Sequence, residues 1–163
     1  MISKTRILLA AIAVSAPQVL AEAPEPAPSF DVLGSWQSAC DAWGTPATCT
    51  AIWSTGKHQS HLVQDYTIIS AEGGAEIFAG RGLYRVTDGA VDGIWEDSRG
   101  QIVPLAGRYE DGTLNVIWGD ASSEIGRSVY TLDGDGLQAV DSVLTEEGWR
   151  AFMTIEYGRS AVE

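Results

Sequence analysis

The sequence predicts an all-β protein, a single antiparallel up-and-down barrel of about ten strands. After residue 21 the chain breaks into about ten short segments rich in Val, Ile, Thr, Tyr and Trp, separated by clusters of Gly and Asp. Asp-Gly pairs, which favour hairpin turns, recur between these segments. No segment after residue 21 carries an apolar stripe of helical period, so we expect consecutive strands to pair as antiparallel neighbours.

Residues 1–21 have the pattern of a secretory signal peptide. Lys4 and Arg6 supply positive charge, a short apolar run follows, and Val19 and Ala21 provide a cleavage site. The run is shorter than the roughly 20 apolar residues that span a bilayer. We therefore expect cleavage after Ala21, a periplasmic or secreted product and no membrane insertion of the mature chain; a retained signal anchor is the alternative.

A short linker is predicted between the signal peptide and the folded domain. In residues 22–29, Pro24, Pro26 and Pro28 alternate with small and acidic residues, which cannot bury apolar surface. Residues 30–163 are the predicted barrel domain.

The chain is strongly acidic, with 22 Asp and Glu against 10 Lys and Arg and a net charge of -12. The signal peptide holds two of the basic residues and none of the acidic ones, so cleavage leaves eight basic residues and a net charge of -14. Such a chain repels nucleic-acid phosphates and offers no basic patch to an anionic membrane. We expect no nucleic-acid partner, and a monomer.

The ten strands are placed by their composition and by the turns between them. We expect them near residues 33–40, 48–55, 60–71, 75–87, 90–98, 101–109, 113–119, 124–132, 136–144 and 148–158. Pro104 lies inside the sixth segment and cannot donate a ladder hydrogen bond, which predicts a bulge or a position at the barrel rim.

Alternation of period two is plainest in the last segment. Trp149, Ala151, Met153, Ile155 and Tyr157 fall on one predicted face, with polar residues between them. Ten strands in one open sheet would expose two long edges, which favours closure into a barrel. A two-layer sandwich is the competing architecture.

Cys40 and Cys49 are the two cysteines of an exported chain, which predicts an intramolecular disulfide. The residues between them include Gly44 and Pro46 and suit a turn, so the bridge would close the first hairpin. A redox-active pair is the alternative, although the spacing differs from Cys-x-x-Cys.

Two motifs at opposite ends of the domain are similar to the signature of the lipocalin or calycin proteins. These are Gly34-Ser35-Trp36 in the first strand and Tyr157-Gly158-Arg159 at the end of the last. In the family, a Gly-x-Trp opens strand one and a basic residue from the last strand packs over the indole. The resemblance implies a structural role for Trp36 and Arg159, which would close one end of the barrel through a cation–π contact worth about 0.5 to 2 kcal/mol.

The middle of the chain resembles a family of bacterial exported lipocalin-like domains of unknown function, over most of residues 33–159. The motifs that carry this likeness are Gly93-Ile94-Trp95-Glu96-Asp97-Ser98, Gly107-Arg108-Tyr109, Leu114 to Gly119 and Gly148-Trp149-Arg150-Ala151-Phe152.

The histidine pattern differs from that of a related barrel class, the nitrobindin-like proteins, which hold heme through a histidine late in the chain. Here the two histidines, His58 and His61, lie early in the domain. Residues three apart on a strand point to opposite faces and converge on a metal only across a turn. We expect surface histidines and neither a cofactor nor a metal.

Catalysis is the weakest of three functional hypotheses. Asp97, Ser98 and His61 are the residue types of a nucleophilic triad, but no Gly-x-Ser-x-Gly elbow is present. An enzyme would need Arg127 or His61 to meet Glu124 or Asp97 inside the barrel. We expect no catalytic residues.

The side of the barrel on which Arg81, Arg85 and Arg127 lie is left open by the sequence. An inward guanidinium would need a buried partner such as Glu124 or Asp141, or an anionic ligand group. An outward one would be an ordinary surface charge, which is the orientation we expect.

Many aromatic side chains in a small barrel either fill its interior or line a cavity. The candidate ligand-binding residues are Trp53, Tyr66, Tyr84, Trp95, Trp118 and Tyr130. The hypothesis that follows is an exported barrel that binds a small, largely apolar molecule in its interior. The alternative is a packed barrel without a ligand, acting as a protein-interaction or envelope-assembly module through an exposed apolar patch.

Overall fold

The structure, a computed structural model, describes residues 32–58 and 60–160. It consists of ten β-strands, and no helix occurs in this part of the chain. The predicted signal peptide and linker lie outside the described residues. The strands are β1 Gly34–Ala42, β2 Thr45–Thr55, β3 His61–Ser70, β4 Glu76–Thr87, β5 Ala90–Asp97, β6 Ile102–Glu110, β7 Thr113–Trp118, β8 Gly126–Asp133, β9 Gly136–Thr145 and β10 Gly148–Arg159.

The strands form a closed antiparallel barrel in which each strand pairs with its neighbours in sequence. β1 closes the circle by pairing with β10, where Trp36 lies opposite Arg159 and Gln37 opposite Gly158. The predicted ten-stranded up-and-down barrel is therefore confirmed, and the sandwich alternative is wrong. Among the ten described strands, closure therefore leaves no unpaired edge that exposes main-chain hydrogen-bonding groups.

The two ends of the barrel differ in their loops. At one end, called the closed end here, lie the start of β1, the end of β10 and the loops after each even-numbered strand. Two of these loops are tight Asp-Gly turns in which Asp88 and Asp111 have a φ of 50° and a glycine of positive φ follows. Positive φ at both central residues is the geometry that Asp-Gly favours in a hairpin. The other end, called the open end, carries the loops after each odd-numbered strand.

Alternation along the strands separates an apolar interior from a polar surface. In β10 the facing of two residues differs from the prediction. A register shift between Ala151 and Met153 marks a bulge. Met153, Ile155 and Tyr157 are buried, whereas Trp149 and Ala151 are exposed on the outer surface. The prediction that all five share one face is wrong, because an extra residue in a bulge reverses the facing of every residue beyond it.

Pro104 lies near the open rim of the barrel. It pairs with Ile94 of β5 without a register shift, and β7 ends at Trp118, opposite Leu105. The proline ring therefore replaces an N–H at a place where the β6–β7 ladder is ending, and the Pro104 carbonyl still accepts a hydrogen bond from Gly119 N. Of the two predicted alternatives, the structure has the rim position.

Trp36 and Arg159 meet at the closed end. The guanidinium carbon of Arg159 lies 4.3 Å from the centroid of the Trp36 ring, and Arg159 Nη1 donates a hydrogen bond to the Leu33 carbonyl. The Trp36 side chain is fully buried, and its indole N–H donates to the Val32 carbonyl at 2.6 Å. These contacts cover the barrel interior at this end.

The disulfide between Cys40 and Cys49 is confirmed. It joins β1 to β2 near the open end, and Cys49 is completely buried on the inner face of the barrel wall. The bridge therefore fixes the first hairpin, whose tip bears Trp43, against the wall beside the interior.

Candidate functional site

The barrel interior contains a cavity of about 470 Å³ that extends towards the open end. This volume lies within the roughly 300 to 1,000 Å³ of small-molecule sites. Its wall is built from the inward faces of β3 to β10 and is mainly aromatic and aliphatic. The residues that line it include Gln64, Tyr66, Tyr84, Trp95, Trp118, Ser128, Tyr130, Ala139, Asp141, Met153 and Tyr157.

Glycines on neighbouring strands let two indoles lie against the wall instead of filling the interior. A Cβ atom at Gly80 would overlap the ring of Trp95, and one at Gly126 would overlap the ring of Trp118. The absence of a side chain at these two positions gives each indole a recess on the adjacent strand. Tryptophans that could fill a small barrel therefore leave its centre open.

The floor of the cavity is a buried hydrogen-bonded group of three side chains. Tyr84 Oη donates to Gln64 Oε1 at 2.7 Å, and Gln64 Nε2 donates to Tyr130 Oη at 3.1 Å. Gln64 is 1% exposed, so the two tyrosines supply the partners that a buried amide requires. Trp53 lies against both tyrosine rings, with ring centroids 5.2 Å away in each case.

Asp141 places a carboxyl group in the wall, above this floor. Ser128 Oγ donates to Asp141 Oδ1 at 2.6 Å, and the indole N–H of Trp118 donates to Ser128 Oγ at 3.3 Å. Burial raises the pKa of Asp141 from 3.8 to about 6, against the smaller lowering effect of the Ser128 hydrogen bond. Asp141 is thus ionised at neutral pH in surroundings that disfavour its charge.

Four tyrosine hydroxyls share the interior with Asp141. Burial, reinforced by the negative charge of Asp141, raises the pKa of Tyr66, Tyr84, Tyr130 and Tyr157 above the usual value. All four hydroxyls therefore keep their protons at physiological pH. Tyr66 Oη lies 3.5 Å from both Cys49 Sγ and Met153 Sδ, and these two contacts are weak because sulfur is a poor acceptor.

The mouth of the cavity is formed by aromatic and charged side chains of mixed sign. The Arg99 guanidinium lies 5.0 Å from the Trp43 ring centroid and 5.3 Å from that of Phe78. Trp43 is 54% exposed and has a φ of 53°, a conformation that costs a bulky residue about 1 to 2 kcal/mol. Glu124 and Arg150 complete the rim.

The structure brings five of the six candidate ligand-binding residues to the cavity. Tyr66, Tyr84, Trp95, Trp118 and Tyr130 line it. The sixth, Trp53, is 2% exposed and lies beneath Tyr84 and Tyr130 rather than in the lining. Its position at the closed end of β2 puts two rings between it and the cavity.

The three arginines whose orientation the sequence left open lie on the outer surface. Arg81 and Arg85 form exposed salt bridges with Asp65 and Asp92, of which the Arg85 pair is bidentate. Arg127 lies with its guanidinium carbon 4.7 Å from the Trp149 ring centroid, also outside the barrel. None of them takes part in the cavity.

The residues of the hypothetical triad lie at opposite ends of the barrel. His61 begins β3 at the closed end, and His58 beside it shares a hydrogen bond with Ser60. Asp97 and Ser98 lie at the open end, where they accept hydrogen bonds from the main chain. In the described part of the chain, no three His, Cys, Asp or Glu side chains form a metal-binding group.

The role of Asp141 was missed by sequence reasoning, which considered this residue only as a partner for a buried arginine. A signal was present, since Leu137, Ala139 and Val143 occupy alternate positions of β9 and Asp141 falls in phase with them, on their apolar face. An acidic residue in phase with an inward face is an indication of a polar group in the interior.

No protein-family model matches the sequence, and no curated protein matches it either. Among solved structures, the barrel is similar to the crystal structure of Rv2717c from M. tuberculosis, with a TM-score of 0.61 and 12% sequence identity. The match covers 83% of this chain and 99% of that chain. At this identity the likeness shows a β-barrel fold alone, and it does not extend to the bacterial exported family suggested by the sequence motifs.

Proposed function

We propose that the protein is an exported, lipocalin-like binding protein that holds a small, largely apolar molecule inside its barrel. The observation that carries this proposal is the cavity of about 470 Å³, which is lined mainly by aromatic and aliphatic side chains. A few polar groups among apolar walls are the usual composition of a small-molecule site. A barrel that served only as a packed scaffold would gain stability by filling this space.

The glycine recesses support the same function. Gly80 and Gly126 each sit where any other residue would push an indole into the centre of the barrel. Glycine in a strand interior lowers stability because it packs poorly and gains more freedom on unfolding. Two such positions, each matched to a tryptophan, are explained by a cavity that must stay open.

Export is the second part of the proposal. The Cys40–Cys49 disulfide is consistent with an oxidising compartment outside the cytoplasm. The basic and apolar pattern of residues 1–21 supports a signal peptide. Within residues 32–58 and 60–160, the structure has no helix long and apolar enough to cross a membrane.

The proposal is tested by titration with N-phenyl-1-naphthylamine, a neutral apolar dye that fluoresces when it leaves water. The wild type should bind it saturably with one site per chain. Ala139→Phe places a ring in the cavity and should abolish or strongly weaken binding, whereas Ala106→Phe, at an exposed position on the outer face, should leave binding unchanged. Circular dichroism checks that both variants remain folded.

Two results would overturn the proposal. One is the absence of saturable binding in the wild type; the other is equal binding by the wild type and a folded Ala139→Phe variant, which would place the dye outside the cavity.

A second candidate function, a protein-interaction or envelope-assembly module, is favoured by an apolar stripe on the outer surface. Leu83 and Ile94 are 41% and 50% exposed and lie opposite each other on β4 and β5, and Pro104 extends the stripe to β6. A photoreactive residue at position 94 should then cross-link to a defined protein partner in producing cells. The same residue at exposed Gln138 should not, and equal labelling from both positions would remove the support.

A further inference from the structure

Asp141 is a half-buried carboxylate in the cavity wall, without a counter-ion in the described part of the chain. The three salt bridges of residues 32–58 and 60–160 involve other acidic residues and lie on the outer surface. The one hydrogen bond that the carboxylate receives from these residues comes from Ser128 and reaches Oδ1. A carboxylate has about four acceptor sites, so most of its hydrogen-bonding capacity is left for a ligand.

The surroundings of Asp141 suit a positively charged group. Tyr66, Trp118 and Tyr130 line the same cavity, and aromatic faces attract cations through the ring quadrupole. Burying a single charge is unfavourable, whereas burying it beside an opposite charge that hydrogen-bonds to it restores the lost interactions.

The charged side chains of the mouth do not neutralise Asp141. Arg99, Arg150 and Glu124 are exposed at the open end, whereas Asp141 lies opposite Ser128 and Met153, well inside the strands. The position of a charged group along the barrel axis therefore distinguishes two kinds of ligand. A molecule with an anionic end would hold that end at the mouth, and one with a cationic end would place it on Asp141.

We propose that the cavity takes a ligand with an apolar, ring-containing body and a protonated amine, which enters amine first and donates hydrogen bonds to the Asp141 carboxylate. This inference rests on the proposed function and narrows it to one class of ligand. The cavity tyrosines on β3, β4, β8 and β10 stay neutral, so the carboxylate of Asp141 supplies the charge for recognition.

The test uses three probes that share one ring system and differ in charge: 1-naphthylmethylamine, 1-naphthylmethanol and 1-naphthoate. Their dissociation constants are measured by calorimetry at pH 7.5 with the full exported chain. The wild type should bind the amine roughly tenfold or more tightly than the alcohol, as expected of a charge-assisted hydrogen bond in a buried site. The carboxylate probe should bind most weakly.

Two variants with the same net charge identify the group responsible for the preference for the amine. Asp141→Asn should lower the affinity for the amine until it is no greater than the affinity for the alcohol. Asp135→Asn, in the exposed β8–β9 turn, changes the net charge equally and should keep the preference. At pH 5 the wild-type preference should fall roughly tenfold, because Asp141 takes up a proton while the amine keeps its own.

The results with the three probes test the preference for an amine separately from the proposed binding function. If the alcohol binds in the cavity and the amine binds no better, the inference is wrong and the binding function stands. A preference that survives Asp141→Asn, or tightest binding by 1-naphthoate, would also overturn it. If none of the three probes binds, the proposed function and the inference both fall.

Discussion

Replacing Asp141 by asparagine should make the barrel more stable at neutral pH and leave its stability nearly unchanged in acid. The native pKa is about 6, above the ordinary value of 3.8, so the folded protein holds this proton more tightly than the unfolded chain does. Protonation of Asp141 therefore contributes to the free energy of unfolding. This contribution is fully present below the unfolded-state pKa of 3.8 and is lost as the pH rises through about 6. Asparagine has a similar shape, still accepts the Ser128 hydrogen bond and does not ionise.

The size of this effect follows from the two pKa values. A change from 3.8 to about 6 corresponds to about 3 kcal/mol of folding free energy at pH 7.5. Urea unfolding of the wild type and Asp141→Asn at pH 4 and pH 7.5 measures it as the difference between the two variants, which cancels the titration of the other carboxyl groups. The variant should gain about 2 to 3 kcal/mol relative to the wild type between the two pH values.

Asp135→Asn is the matched control, because it removes one exposed carboxylate from a turn where asparagine is equally suited. Its stability relative to the wild type should not depend on pH beyond a few tenths of a kcal/mol. If Asp141→Asn behaves in the same way, the carboxyl of Asp141 is not destabilised by burial, and the reasoning about the interior is refuted.

The remaining predictions concern the closed end, the disulfide and the wall of the cavity. Arg159→Ala should lower the free energy of unfolding by about 1 to 2 kcal/mol through loss of the contact with Trp36 and the hydrogen bond to the main chain; an unchanged urea midpoint would contradict this. Replacing both cysteines of the disulfide by serine should cost about 2 to 3 kcal/mol in the same assay, and equal stability of the two proteins would show that the bridge does not constrain the unfolded chain. Gly126→Ala should push the adjacent indole into the cavity and weaken binding of N-phenyl-1-naphthylamine, whereas Gly158→Ala, with open space around it, should not; equal affinities would rule out a role for the recess.

The barrel could be predicted because its determinants are local. Asp-Gly at residues 88–89 and 111–112 requires tight turns, and strands joined by tight turns pair with their neighbours in sequence. Closure could be inferred because ten strands in an open sheet would leave unpaired edges. Each step depends on residues close together in the chain.

The facing of β10 could not be predicted because it depends on a bulge. Trp149 and Ala151 follow the same period-two pattern as Met153, and no residue type in this stretch requires an interruption. Trp149 instead packs under Arg127 on the outer surface. Where both faces of a strand contain apolar residues, the pattern specifies the register weakly.

The candidate site could be predicted from the sequence only in part. Aromatic residues on inward positions could be identified, but depth along the barrel axis could not, so Trp53 was grouped with residues that lie above it. Whether the interior is filled or open depends on the matching of Gly80 with Trp95 and Gly126 with Trp118. These pairings are set by the register between strands, which sequence alone does not fix.

The most direct test of a ligand-binding interior is native mass spectrometry of the protein purified from the periplasm or growth medium of producing cells, where the proposed function places it. The wild type should carry a co-purifying small molecule at one copy per chain, and the Ala139→Phe variant, whose cavity is filled, should not. An apo mass for the wild type, with no saturable uptake of N-phenyl-1-naphthylamine, would contradict the account.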